Sequence, residues 1–183
     1  IAQGRFLAFI PALVHAHDWQ AAMAASYLRY DGKPAPPTIL TIHNLAYQSV
    51  FEASRLRSLA IPDAAFDVNG VEFYGKVSFL KAGVFYASHL TTVSSTYARE
   101  ITTPEFGCGL HGLLSERARQ GRLTGILNGI DETWDPHRHA NEPDFCPDSW
   151  KSRNADYVRG AFGLALSRAA ISLCTSAMSS AFA

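Results

Sequence analysis

Four short stretches of the 183-residue sequence gather the side chains suited to polar chemistry. The first is "LVHAHDWQAAM", where His15, His17 and Asp18 stand between apolar residues. Residues two apart on a strand point to the same side, so the two imidazoles share a face. Three chemistries fit this spacing. A His-x-His pair at a strand end can give a metal two ligands, with His43 and Asp131 as further candidates. Asp18 can cap a helix starting at Trp19, its carboxylate accepting from free backbone N–H groups. The group can also face a substrate, and capping and substrate contact can coexist in one loop.

The second stretch, "TIHNLAYQSVF", places His43 at a strand end, followed by Asn44, Tyr47 and Gln48. A histidine there reads either as structural or as one of a set that grips hydroxyls, because imidazole, amide and phenol groups both donate and accept hydrogen bonds. The third, "GILNGIDETWDP", contains Asn128-Gly129, which on its own reads as a turn, since both residues tolerate positive φ. The fourth, "GVEFYGKVSFLKAG", carries Lys76 and Lys81 near aromatic residues, and Lys76 reads as surface charge. No P-loop or G-x-S-x-G is present, so a Walker site and a nucleophile elbow are both unsupported.

The elements that must position these residues alternate. "ALVHA", "TILTIHN", "LTTVS" and "LTGILNGID" read as short apolar strands, each ending in polar residues. "WQAAMAASYLRYDGKP" reads as a helix ended by Gly32 and Pro34. "NGVEFYGKVSFLKAGVFYASH" reads as a loop running into an apolar helix, and "FEASRLRSLAIPDAAF" as a short helix and a turn. "STYAREI" opens another helix with Ser95 or Thr96 as N-cap. "GLHGLLSERARQG" is an amphipathic helix closed by Gly121. The pattern is an open α/β parallel sheet, whose ligands bind outside the carboxyl ends of the strands. His15 to Asp18, His43-Asn44, Ser94 to Thr96 and Asn128 to Asp131 should therefore line one rim. Beyond them, "HRHANEPDFCPDSWKSRNADY" reads as an extended surface segment and "YVRGAFGLALSR" as a helix.

Composition narrows the classes. The chain is 48% hydrophobic and 17% charged with a formal net charge of zero, which gives no global attraction to nucleic acid or an anionic membrane. Its three cysteines, Cys108, Cys146 and Cys174, are scattered and form no Cys-x-x-Cys. That argues against a disulfide framework or zinc-thiolate site and sets the expectation of a reducing, cytoplasmic setting. No apolar run has the length of a membrane span. The first residues lack a starting Met and read as the middle of a longer frame, not as a targeting signal.

Together, "HAHDWQAAM", "TIHNLAYQ", "FYGKVSFLKAG", "TTVSSTYAREI", "GCGLHGLL" and "GILNGIDETWDP" resemble the bacterial glycogen synthases and plant starch synthases, from about Leu13 to about Arg168. The resemblance implies a retaining glucosyltransferase that uses ADP-glucose and an α-1,4-glucan acceptor, with no cofactor and no metal. It implies a GT-B architecture, two Rossmann-like domains with the active site between them. This chain would then hold a partial N-terminal, acceptor-side Rossmann-like domain over residues 1–150 and a segment leading to the second domain over 151–168. Matched position by position, the family's sugar-facing aspartate falls on Asp18, its active-site histidine on His43, and a glucose-holding asparagine on Asn128. Gln48 and Lys81 fall in matching blocks as candidate pocket residues.

The sequence also departs from the family. The Lys-Thr-Gly-Gly loop that opens family members is not in this sequence, and neither are the donor-phosphate Arg and Lys of the second domain. After Arg168 the sequence turns into "AAISLCTSAMSSAFA", which matches nothing in the family and reads as an aberrant, frameshifted tail over 169–183. The expectation is a glycogen or starch synthase piece, inactive alone. The alternatives are a non-catalytic α-glucan-binding fragment and a metal-dependent hydrolase using His15 and His17.

Overall fold

The computed structural model describes residues 11–132 and 146–163. The chain divides into two units, Ile1–Leu127 and Asn128–Ala183. In chain order the first unit runs β1 (Val14–His17), α1 (Asp18–Tyr30), β2 (Thr38–Ile42), β3 (Val50–Glu52), 3-10 turns at Ala53–Leu59 and Asp63–Ala65, β4 (Glu72–Phe73), β5 (Lys76–Ser78), α2 (Phe79–Tyr86), β6 (His89–Thr92), α3 (Ser95–Glu100), α4 (His111–Arg119) and β7 (Leu123–Gly125). The described part of the second unit contains α5 (Pro147–Ala161).

Strands β1, β2, β6 and β7 form a parallel sheet in that order. Each step along the sheet goes the same way, so right-handed crossovers bring the helices to one face. Period-2 alternation then sorts the side chains. Ala16, Leu40 and Leu90 pack with Ala22, Ala25, Leu80 and Val84 in the main core. The odd-numbered neighbours His15, His17, Thr41 and Thr91 point to the other face. Fully buried Leu40, Leu80, Leu90 and Leu114 each contribute about 1.5–3 kcal/mol. Helix α2 reaches the sheet closely because Gly83 lacks a side chain: a Cβ there would lie 2.6 Å from Ala22 Cβ and 2.8 Å from Leu40 Cδ2.

The structure differs from the sequence reading in four places. The segment before α2 is not a plain loop but a second, three-stranded antiparallel sheet in the order β3-β5-β4. Its β4–β5 hairpin turns on Tyr74 and Gly75 at φ 49° and 77°. A two-residue turn with both φ positive normally announces itself as Asn-Gly, and tyrosine in the first place hides it. The α3 cap is Ser94, whose hydroxyl accepts from the Tyr97 amide, rather than Ser95 or Thr96. Strand β7 stops at Gly125, after which Ile126 and Leu127 are exposed. Finally, "PDSWKSRNADY" is helical, not extended: Pro147 opens α5 at a position where the missing amide hydrogen costs nothing. The tail 169–183 lies outside the described residues.

Candidate functional site at the carboxyl edge of the sheet

Strands β1 and β2 deliver their polar ends side by side, because His17 pairs in register with Thr41 and each chain leaves the sheet one or two residues later. The Asp18 carboxylate does not cap α1. That helix has His17 as its N-cap with no side-chain hydrogen bond. Instead Asp18 Oδ1 accepts the His43 amide at 2.8 Å and the Asn44 amide at 3.4 Å. The capping expectation fails for a geometric reason. Asp18 lies in the left-handed region at φ 50°, and this swings its side chain across to β2. A non-glycine residue in that region is strained, and such strain gathers where structure serves a site.

The imidazoles form a second link. His17 Nδ1 and His43 Nε2 are 3.0 Å apart, one donating to the other. The His15 and His17 rings lie tilted with centroids 4.3 Å apart, and His17 and His43 stack at 5.3 Å. His15 Nε2 bonds Thr41 Oγ1 at 2.7 Å, and Thr41 Oγ1 bonds Thr91 Oγ1 at 2.6 Å. A polar ladder thus crosses three strands on the face away from the helices. Burial, and then the neighbouring His17 and His43, hold His15 below the ordinary imidazole range. His43 is left with Nδ1 unpartnered among the described residues and exposed at the rim.

The loop after His43 is pinned along its length. Tyr97 Oη accepts the Leu45 amide at 3.0 Å, and burial pushes that phenol up. Asn44 Oδ1 accepts the Ala46 amide at 3.0 Å, a local turn. Gln48 is buried and its Nε2 donates to the Cys108 carbonyl at 2.7 Å. The candidate pocket residue Gln48 therefore ties the His43 loop to the loop before α4. Lys81 is buried too. Its Nζ donates to the Val68 carbonyl at 2.6 Å and to the Glu72 carbonyl, at the wall of a cavity of about 460 Å³ shared with Tyr74 and Leu113. Burial holds its pKa below the usual lysine value, with Glu72 and Asp67 opposing. Lys76, by contrast, is paired with Glu52 at the surface, 2.7 Å apart.

Asp18, His17 and His43 are thus brought together. Gln48 supports their loop from behind, and Lys81 serves a separate cavity. Asn128 and Asp131 belong to the second unit. Among the described residues, no group of three or more His, Cys, Asp or Glu is arranged to hold a metal ion, and no helix is long and apolar enough to cross a membrane. Sequence reasoning missed Tyr97, which sits inside an ordinary helix pattern with no signal of its reach to Leu45. It also missed the His17–His43 bond, which only the strand register reveals.

A parallel α/β sheet with polar groups clustered at its carboxyl edge is the arrangement in which open α/β folds bind ligands. Residues 1–116 match the family described as starch synthase catalytic domain. The chain belongs to that family. It is 59% identical over 159 residues to glycogen synthase 1 of Bradyrhizobium diazoefficiens, covering 85% of this chain and 34% of that protein. It is 56% identical over 157 residues to the glycogen synthase of Pseudomonas savastanoi pv. phaseolicola, covering 84% and 32%. Among solved structures it matches the catalytic domain of starch synthase IV from Arabidopsis thaliana bound to ADP and acarbose, with a TM-score of 0.62, 30% identity, and coverage of 85% of this chain and 34% of that one. The chain spans about a third of the length of the curated relatives it matches.

Proposed function

We propose that this chain supplies the acceptor-side part of a retaining glucosyltransferase that moves glucose from ADP-glucose to the non-reducing end of an α-1,4-glucan. The observation that carries the reading is the rim clamp. Asp18 and His17 fix the His43 loop and ring so that Nδ1 is the nitrogen left for a ligand. In this reading His43 Nδ1 meets a hydroxyl of the transferred glucosyl unit, and the outward oxygen of Asp18 meets another.

Retaining transfer without a protein nucleophile passes through a glucosyl cation-like transition state between leaving phosphate and acceptor hydroxyl. The protein's lever there is a set of dipoles and acceptors fixed beforehand around the developing charge. A histidine held at both backbone and ring is such a group, since it loses little freedom when the sugar arrives. The reaction calls for no cofactor. A second reading, α-glucan binding without transfer, is favoured by two exposed rings, Tyr47 and Tyr74, at 65% and 78% exposure, which offer flat faces to a glucan chain.

The test is a chimera in which residues 11–132 replace the matching segment of the Bradyrhizobium relative. ADP release in the presence of glycogen and ADP-glucose should be retained. His43→Ala should lower kcat by about 10²–10³-fold, the usual cost of removing one transition-state donor, with KM for ADP-glucose little changed. An active chimera indifferent to His43→Ala overturns the assignment. An inactive chimera that still binds maltoheptaose supports the second reading.

A further inference from the structure

The opposite, amino-terminal edge of the sheet holds a second cavity of about 550 Å³. It forms where α1 ends, where Ala87-Ser88 enters β6 and where Arg122 enters β7. Among the described residues three arginines line it, Arg29, Arg117 and Arg122, and no carboxylate does. Arg117 is 6% exposed, yet among the described residues its side chain has only the Ala87 carbonyl as acceptor, and its Nε is buried without a partner. Among the described residues the side chains of Arg29 and Arg122 have no hydrogen-bond or ion-pair partner either.

A buried guanidinium is normally paired with a carboxylate, because an uncompensated charge is costly to desolvate. Here burial, followed by the positive charge of Arg122, holds Arg117 below its ordinary value. The arrangement lacks an anion. Guanidinium forks match the oxygens of a phosphoryl group, and three of them match a dianion better than a single carboxylate. The rest of the wall is aromatic and polar: Tyr30 and Tyr86, joined hydroxyl to hydroxyl at 2.8 Å, and Asn69. The cavity is far larger than phosphate alone and has room for a ring against those tyrosines.

We propose that this cavity binds a phosphate monoester, its phosphoryl group held by Arg29, Arg117 and Arg122. The site is separate from the His43 rim and stands independently of the transfer reaction.

Isothermal titration of the 183-residue chain at fixed ionic strength tests it, with inorganic phosphate, a hexose phosphate and a nucleoside monophosphate as probes. Saturable binding of phosphate is expected, tightened by whichever of the two esters fills the aromatic wall. Arg29→Gln and Arg122→Gln lie on exposed side chains and keep the fold. Each should weaken binding about tenfold, the scale of one lost charge-assisted hydrogen bond. Arg55→Gln, exposed elsewhere on the surface, should leave it unchanged. No saturable binding of any probe overturns the proposal, as does equal affinity in all three variants.

Discussion

Replacing Asp18 should loosen the loop that carries His43, and the structure separates two contributions. Asp18 Oδ1 accepts the His43 amide at 2.8 Å. A hydrogen bond to an ionised partner contributes about 1.5–3 kcal/mol, and partial exposure of this loop puts it at the lower end, ~1.5 kcal/mol. The second contact, 3.4 Å to the Asn44 amide, is at the weak limit and adds little. Asp18 also sits at φ 50°, where a Cβ costs about 1 kcal/mol that glycine does not pay. Asp18→Ala loses the bond and keeps the strained Cβ, so it should cost about 1.5 kcal/mol. Asp18→Gly loses the bond but relieves the strain, so it should cost only ~0.5 kcal/mol. Equilibrium urea unfolding of the three proteins should rank them wild type, then glycine, then alanine. An alanine variant as stable as wild type refutes the clamp. A glycine variant less stable than alanine refutes the reading of the backbone.

Other perturbations reach the scaffold around the site. Gly83→Ala should cost about 1–3 kcal/mol in urea unfolding, since its Cβ would collide with Ala22 and Leu40 between α1, α2 and β2. Lys81→Met leaves the Val68 and Glu72 carbonyls without their cation and should cost about 1–3 kcal/mol, with faster amide exchange across residues 67–73 as the local readout. His15 favours its neutral form in the folded state because burial, His17 and His43 all lower its pKa. Its stabilising contribution is therefore full above about pH 6.5, the unfolded value, and is lost as pH falls through the lower folded value. The unfolding midpoint should drop as pH falls below about 6.5, and the drop should shrink in His15→Gln. An equal drop in both proteins contradicts that assignment.

The parallel sheet was legible because its strands are short apolar runs that end in polar residues, and helix formers such as those of "WQAAMAASYLRY" fill the intervals. The antiparallel sheet was not, because its strands span two or three residues and its turn replaces the usual Asn-Gly with Tyr74-Gly75. At the site, the residue types of Asp18 and His43 and their places at strand ends could be read along the chain. Their mutual contact could not. It depends on the β1–β2 register and on one left-handed residue, and neither leaves a mark in a one-dimensional pattern. The same register converts His17 from a candidate metal ligand into the partner of His43. Gln48 and Lys81 could be read as polar pocket residues, but their bonds to the carbonyls of Cys108, Val68 and Glu72 could not.

The central claim is that the carboxyl edge around His43 receives the sugar. The most direct test is NMR of the histidine side chains during titration with acarbose, the sugar analogue present with the Arabidopsis relative. The account predicts a saturable shift of the His43 imidazole, a smaller one at His17 through their shared hydrogen bond, and none at His89, which is bonded to Thr124 away from that rim. A saturable response that leaves His43 unmoved would contradict it.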